Sequence, residues 1–217
     1  MWQIYQGLKA TFMPNFCASC RLFLKDSTIF CGSCIKLIKP IASKDIALTS
    51  SITLPIFAAS AYRHPLKDLI IAKSCSDTWA AHCLAHLIIT HTPLELLPAD
   101  YFIPIPLHWS RYAYRGYNQS KIIAHHLAYF KNAKIAEPLF RSKRTPFQSS
   151  LPLDQRSQNV ANAFHLTDNM DLRKKLSGQH LILVDDLMTT GSTLKEAARQ
   201  LLQLKPASLK AIVACRI

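Results

Sequence analysis

The chain has 217 residues, of which 49% are apolar and 18% charged, with only 5 glycines against 12 prolines. That composition excludes a disordered tail and a collagen-like chain, and it supplies the material for a sizeable core. Lysine and arginine number 26 against 13 acids, a formal net charge of +13, so a polyanion is expected as partner: nucleic acid, anionic lipid or a phosphorylated substrate. The longest runs free of Lys, Arg, Asp and Glu are 46–62 and 78–94. Both fall short of the roughly 18–20 apolar residues of a membrane-spanning helix. The first is broken by Pro55, and the second carries His82, His86 and His91. The sequence opens without a basic segment leading into an apolar one, so the expectation is a cytoplasmic protein. Its charge leaves contact with an acidic membrane surface open.

Four of the seven cysteines form two close pairs, Cys17-Ala-Ser-Cys20 and Cys31-Gly-Ser-Cys34. Two C-x-x-C knuckles at short separation suit a tetrahedral Zn²⁺ held by four thiolates. Gly32 is expected to supply any positive φ the turn needs. Disulfides fit a reducing cytosol poorly, and a thioredoxin-like redox centre needs only one pair. Four sulfurs fill every position on the metal, so the site is expected to be structural, its binding energy folding a segment too small for its own core. Residues 1–44 hold six cations (Lys9, Arg21, Lys25, Lys36, Lys39, Lys44) and one acid, Asp26. Such a knuckle suits nucleic acid and protein docking equally. A domain break is expected at 39–44, giving a zinc-finger domain over 1–44 and a second domain over 45–217.

The remaining sequence alternates between strand and helix patterns. Strands are expected at 56–62, 101–105, 135–140, 180–184 and 207–215, and helices at 64–73, 78–89, 116–130 and 194–204. Ser76 or Asp77 could cap the second helix, with Pro93 soon after its end. Residues 141–152 read as loop, and 153–164 fit no single pattern. The run His180-Leu-Ile-Leu-Val184 suits a strand buried on both faces. Strand–helix alternation argues an α/β fold with a mostly parallel sheet flanked by helices.

The sharpest pattern is 181–193, Leu-Ile-Leu-Val-Asp-Asp-Leu-Met-Thr-Thr-Gly-Ser-Thr. A buried strand ends in two carboxylates, then a hydroxyl-rich loop with one glycine opens a helix. Ligands of open parallel sheets bind beyond the carboxyl ends of strands, and a helix N-terminus presents free N–H groups to a phosphate. Thr189, Thr190, Ser192 and Thr193 add hydroxyls, and Gly191 lets the backbone approach. Asp185 and Asp186 can accept hydrogen bonds from a ribose diol or organise Mg²⁺. The plainer alternative is a capped helix, with Thr193-Leu-Lys-Glu196 as a capping box. No Walker loop is present.

A second segment, 108–121, carries Arg111, Arg115 and Lys121 with no acid, interleaved with Trp109, Tyr112, Tyr114 and Tyr117. Cations neutralise phosphates and aromatics stack on bases, so this suits single-stranded nucleic acid, a loop closing over a nucleotide, or simply a solvated basic face. His82 and His86 have two-histidine metal spacing but no evident third ligand, and a helix surface explains them better. Of His125 and His126, one is expected exposed and one half-buried.

The stretch 184–193 resembles the phosphoribosyl pyrophosphate (PRPP) motif of type I phosphoribosyltransferases. More narrowly, Ile103-Pro-Ile-Pro-Leu107 with Arg111 and Arg115-Gly-Tyr-Asn-Gln119 resembles the competence protein ComF family. So do Lys143-Arg-Thr-Pro-Phe-Gln148 with Arg156, Asn159, Val160 and Phe164, and Tyr62 with Pro65-Leu-Lys and Lys73. With the cysteine pairs, the resemblance spans almost the whole chain. It implies a type I phosphoribosyltransferase-like α/β domain behind a small zinc finger. Asp185 and Asp186 would be the catalytic pair holding the ribose hydroxyls. PRPP would be bound by Asp185, Asp186, Leu187, Met188, Thr189, Thr190, Gly191, Ser192 and Thr193, with Lys73 near the pyrophosphate and Mg²⁺ as its companion. The family commonly follows that lysine with Phe and Gly, whereas Ser74-Cys75-Ser76 stands here, which weakens the pyrophosphate contact. A segment like 144–159 forms a hood in related enzymes.

Three readings follow. The resemblance implies a cytoplasmic component of natural transformation, at the inner face of the membrane, that handles incoming single-stranded DNA through Arg111, Arg115, Tyr117, Lys121 and Arg144. The second is an active phosphoribosyltransferase with an unidentified acceptor. The third is an adaptor whose zinc finger docks a DNA-uptake helicase or inner-membrane channel protein.

Overall fold

The computed structural model describes residues 16–25, 28–72, 78–107, 112, 116–142 and 163–217. In chain order they form α1 (Gly32–Ile35), β1 (Lys44–Ala47), β2 (Thr53–Ala61), α2 (Leu66–Ala72) and α3 (Trp79–His91). A 3-10 turn (Leu94–Leu96) leads to β3 (Tyr101–Pro104), α4 (Gln119–Lys131), β4 (Lys134–Ile135) and β5 (Leu139–Arg141). The rest is β6 (Phe164–Leu166), α5 (Met170–Leu176), β7 (His180–Met188), α6 (Ser192–Leu202) and β8 (Ser208–Arg216).

Six strands make one sheet in the order β1-β2-β8-β7-β3-β4. All neighbours run parallel except the edge strand β1, which is antiparallel to β2. The central strands are buried on both faces, which is why Leu181–Val184 reads as an unbroken apolar run. On one face Ile182, Val184, Ile212 and Ala214 pack against α3 and α4 through Leu84, Ile88, Ile123 and Leu127. On the other, Leu181, Leu183, Ala211 and Val213 meet Leu194, Ala197, Ala198 and Leu201 of α6. The mostly parallel α/β architecture is therefore the one expected. No helix among the described residues is long and apolar enough to cross a membrane.

The expected strand at 135–140 is instead two short ones. β4 extends the main sheet beside β3, whereas β5 leaves it to pair antiparallel with β6. Pro138 stands between them, with no N–H for a ladder, and its carbonyl accepts from the Thr167 N–H at 2.7 Å. Helix α4 starts at Gln119 rather than at Gly116, whose φ is +75°. Ser76 and Asp77, the expected caps of α3, lie outside the described residues, as do the 143–150 loop and the hood segment up to residue 162.

The cysteine segment packs on the sheet. Leu24, Phe30 and Ile38 are buried in the same cluster as Leu84 and Ile88 of α3. Ser60 Oγ donates to the Lys39 carbonyl at 3.0 Å, and Arg216 Nη1 to the Ala42 carbonyl at 3.2 Å.

Candidate metal knuckle and sheet-end site

Backbone turns bring each cysteine pair together. The Arg21 N–H donates to the Cys17 carbonyl at 3.1 Å and the Cys17 N–H to the Leu22 carbonyl at 2.8 Å. The Ile35 N–H closes the second turn on the Cys31 carbonyl at 3.0 Å. The left-handed residue is Arg21, with φ 62°. Gly32, expected to fill that role, opens the short helix α1 instead.

The sulfurs of Cys17, Cys20, Cys31 and Cys34 lie within 4.8 Å of one another, and Cys20 Sγ is 3.7 Å from Cys31 Sγ. A tetrahedral Zn²⁺ with Zn–S of about 2.3 Å needs sulfur–sulfur edges of about 3.8 Å. The four cysteines are thus positioned to hold a metal ion, and an all-sulfur set suits zinc. Burial opposes ionisation of Cys17, but hydrogen bonds from the Cys31, Cys20 and Ser19 backbone outweigh it and hold that thiol at about 6. Burial, reinforced by the Cys31 side chain, pushes Cys34 up to about 12. A bound cation is what would ionise all four together.

The second site is the carboxyl end of β7. The strand does not stop at Val184 as expected but runs to Met188. β3 accompanies it only as far as Val184, whose carbonyl takes the Ile105 N–H at 3.0 Å. β8 continues beside it to the Met188–Arg216 pairing. From Asp185 onward, β7 therefore has β8 as its sole strand partner among the described residues, and its other edge faces the start of α4. Leu187 packs against the cluster that holds Ile182 and Val184, and Met188 lies in the one that holds Leu181 and Leu183.

Helix α4 anchors Asp185. Asn118 caps it: the Asn118 side-chain oxygen accepts from the Ser120 N–H at 3.1 Å, and Nδ2 donates to the Ile105 carbonyl at 3.0 Å. This fixes Ser120, whose Oγ donates to Asp185 Oδ1 at 2.9 Å. The Asp186 N–H donates to the same oxygen at 3.0 Å. Asn118, Gln119 and Ser120 are buried, and the Gln119 amide nitrogen has no hydrogen-bond partner among the described residues. Ser120 was not anticipated as a site residue. Its signal was the Asn-Gln-Ser run opening an apolar helix, with Asn118 as N-cap.

The loop after β7 matches its expected shape. Gly191 has φ +83° and is the N-cap of α6, with no side-chain cap hydrogen bond. Thr193 stands inside the first turn, so the capping box proposed for Thr193–Glu196 does not begin this helix. Thr190 Oγ1 donates to Ser192 Oγ at 3.0 Å. A Cβ on Gly191 would lie 2.2 Å from Ile46 Cδ1, so β1 packs directly on the loop backbone. Asp185, Asp186, Leu187, Thr189, Ser192 and Thr193 are half-buried, Thr190 is exposed, and Met188 is buried.

Lys73, Arg111, Arg115 and Arg144 lie outside the described residues. Tyr117 is half-buried ahead of α4. Lys121 is paired to Glu137 at 2.6 Å. His82 is not a surface residue beside His86. It turns into the α3–α4 interface and shares a hydrogen bond with His126, their ring centroids 4.4 Å apart. His86 and His125 are exposed and His126 is half-buried.

Residues 113–216 match the phosphoribosyl transferase domain family, which covers α4, β7, α6 and the whole sheet-end site. The DNA utilization protein YhgH of Salmonella typhimurium is 28% identical over 203 residues, 93% of this chain and 84% of that protein. Competence protein F of Haemophilus influenzae is 29% identical over 199 residues, 87% of this chain and 79% of that protein. Adenine phosphoribosyltransferase from Thermoanaerobacter pseudethanolicus superposes with a TM-score of 0.42 at 13% identity, over 85% of this chain and 98% of that one. Residues matching the phosphoribosyl transferase domain family therefore follow a four-cysteine cluster in this chain. Over nearly its full length it is a homologue of proteins named DNA utilization protein YhgH and Competence protein F.

Proposed function

We propose that this protein works in DNA uptake, on the cytoplasmic side, where it binds incoming single-stranded DNA and carries a PRPP-binding site at the carboxyl end of β7. The observation that carries the reading is the anchored Asp185–Asp186 pair next to the uncapped start of α6, in a chain whose relatives bear those names. Asp185 and Asp186 accept hydrogen bonds from the ribose hydroxyls. The backbone from Thr189 to Thr193, with its hydroxyls, holds the 5′-phosphate at the positive end of α6. Ser120 keeps Asp185 turned to the site. Carboxylate oxygens suit Mg²⁺, which when bound with PRPP neutralises pyrophosphate charge. The family resemblance assigns Lys73 to the pyrophosphate and Arg111, Arg115, Tyr117, Lys121 and Arg144 to DNA contact. A DNA-uptake helicase or an inner-membrane channel protein is the expected macromolecular partner.

The second reading, a transferase acting on an unidentified acceptor, is supported by the same pair, since two adjacent carboxylates at the carboxyl end of a parallel strand suit ribose hydroxyls. The test is anisotropy of a labelled single strand against zinc-loaded protein at two salt concentrations, with and without PRPP and Mg²⁺. Binding that weakens with salt and shifts with PRPP supports the first reading. Absence of binding at low salt, together with PRPP binding by calorimetry, favours the second.

A further inference from the structure

The cysteine knuckle buries Leu24, Phe30 and Ile38 but leaves other apolar side chains outside. Phe16 is 46% exposed, Leu22 59%, Phe23 57% and Leu37 53%. Phe16 and Phe23 face each other across an antiparallel bridge, their rings edge to face with centroids 6.1 Å apart. A module this small needs its apolar residues inside, yet about half of each of these two rings is left open to solvent. Arg21, Lys25, Lys36, Lys39 and Lys44 of the same segment are all exposed, and Asp26 is the one acid among residues 16–44. Aromatic rings in a segment where cations outnumber acids match a chain that is anionic along its backbone and flat in its side groups.

The knuckle is also docked at the functional end of the sheet. Ser19 Oγ lies 3.2 Å from His64 Nε2. His64 follows the carboxyl end of β2, which runs parallel to β8 and, through it, to β7. Exposed Arg63 and Lys67 border that junction. Exposed cations therefore continue from the knuckle to the carboxyl end of β2, the same end of the parallel sheet at which Asp185 stands on β7.

We infer that the outer face of the knuckle is a single-strand-binding surface. Phe16 and Phe23 stack on nucleobases, and Arg21, Lys25 and Lys36 neutralise the phosphates beside them. The inference rests on the DNA-handling reading above and assigns it to a different stretch of the chain from 108–121. Metal binding then has a role beyond stability, because it sets the two rings side by side.

The test uses the full-length, zinc-loaded protein and a labelled oligothymidylate. Phe16→Ala with Phe23→Ala is expected to weaken binding about tenfold or more, since each stacked base is worth about 1–3 kcal/mol. Phe16→Tyr with Phe23→Tyr should restore it. Lys25→Glu with Lys36→Glu should flatten the slope of log affinity against log salt by about 1.4, the share of two phosphate contacts on a single strand. Zinc content, measured by dye release, must equal that of the parent in every variant. Parent-like affinity in the alanine variant overturns this inference and leaves the DNA-handling reading intact. No binding by the parent protein sinks that reading itself. Should the alanine variant keep its oligonucleotide affinity but lose co-sedimentation with phosphatidylglycerol vesicles, the face serves a membrane and the inference is wrong.

Discussion

The knuckle holds its shape through four sulfurs gathered within 4.8 Å, with three buried apolar side chains to help. The end of β7 holds its shape through hydrogen bonds that begin in a helix cap and finish on one carboxylate oxygen. One region is built around four cysteines positioned to hold a metal ion, the other around the sheet it belongs to. Metal loss should therefore disorder the first and spare the second, and charge changes at the second should leave the first alone.

The largest expected effect is on the metal. Cys17→Ser with Cys31→Ser removes two of four thiolates from a type of site worth about 10–16 kcal/mol in zinc-finger peptides. Zinc should be absent by dye assay, and amide exchange protection should vanish over 16–38 while persisting in β7 and β8. Loss of protection throughout would show that the two regions fold as one unit. Next comes the carboxylate pair. Asp185→Asn with Asp186→Asn should reduce PRPP affinity about 100-fold or more, because hydrogen bonds to charged groups contribute about 1.5–3 kcal/mol each. Zinc content and circular dichroism should not change. Unaltered PRPP binding would remove the site from β7.

A smaller effect belongs to the loop. Gly191→Ala meets two obstacles, the φ of +83° and the contact with Ile46 Cδ1. It should lower stability by about 1–3 kcal/mol in denaturant unfolding. Adding Ile46→Ala relieves the contact and leaves the backbone strain, so part of the loss should return and part should remain. Full recovery would mean that the left-handed conformation costs nothing at this position.

The two regions also differed in how far the sequence disclosed them. Both sets of candidate ligating side chains are readable, because C-x-x-C spacing and a paired carboxylate after an apolar run are local patterns. Their supports were not. Ser120 reaches Asp185 from 65 residues away, and no periodicity links the two. Ile46 belongs to β1, a short edge strand with only one residue that is not exposed, so no alternation marked it. Helix α5 was missed for a different reason. Asn169 caps it at 3.0 Å from the Leu172 N–H, Asp171 sits in its first turn, and Arg173, Lys174 and Lys175 sit in its last. Those are standard start and stop signals, in a stretch whose apolar content was too low to draw notice. The end of β7 was misjudged because carboxylates suggest a loop, yet β8 continues to pair with them.

The smallest effect lies between α3 and α4, away from both sites. Burial, and then the charges of His82 and His125, lower His126 to about 4. The exposed His86 on α3 is likewise lowered, by burial and by His91. A histidine whose folded pKa lies below its unfolded value of about 6.5 binds more protons when unfolded over that interval. Its contribution is therefore intact above about pH 6.5 and is lost as pH falls toward 4. Protonating both rings would also end the hydrogen bond that His82 and His126 share. His126→Gln should therefore narrow the gap in Tm between pH 7 and pH 5 by a few degrees at most, since the half-exposed ring is partly screened. The zinc site and β7 should not respond to that substitution. If the pH dependence is unchanged in the variant, the His82–His126 contact is not the source of acid sensitivity, and His86 becomes the next histidine to substitute.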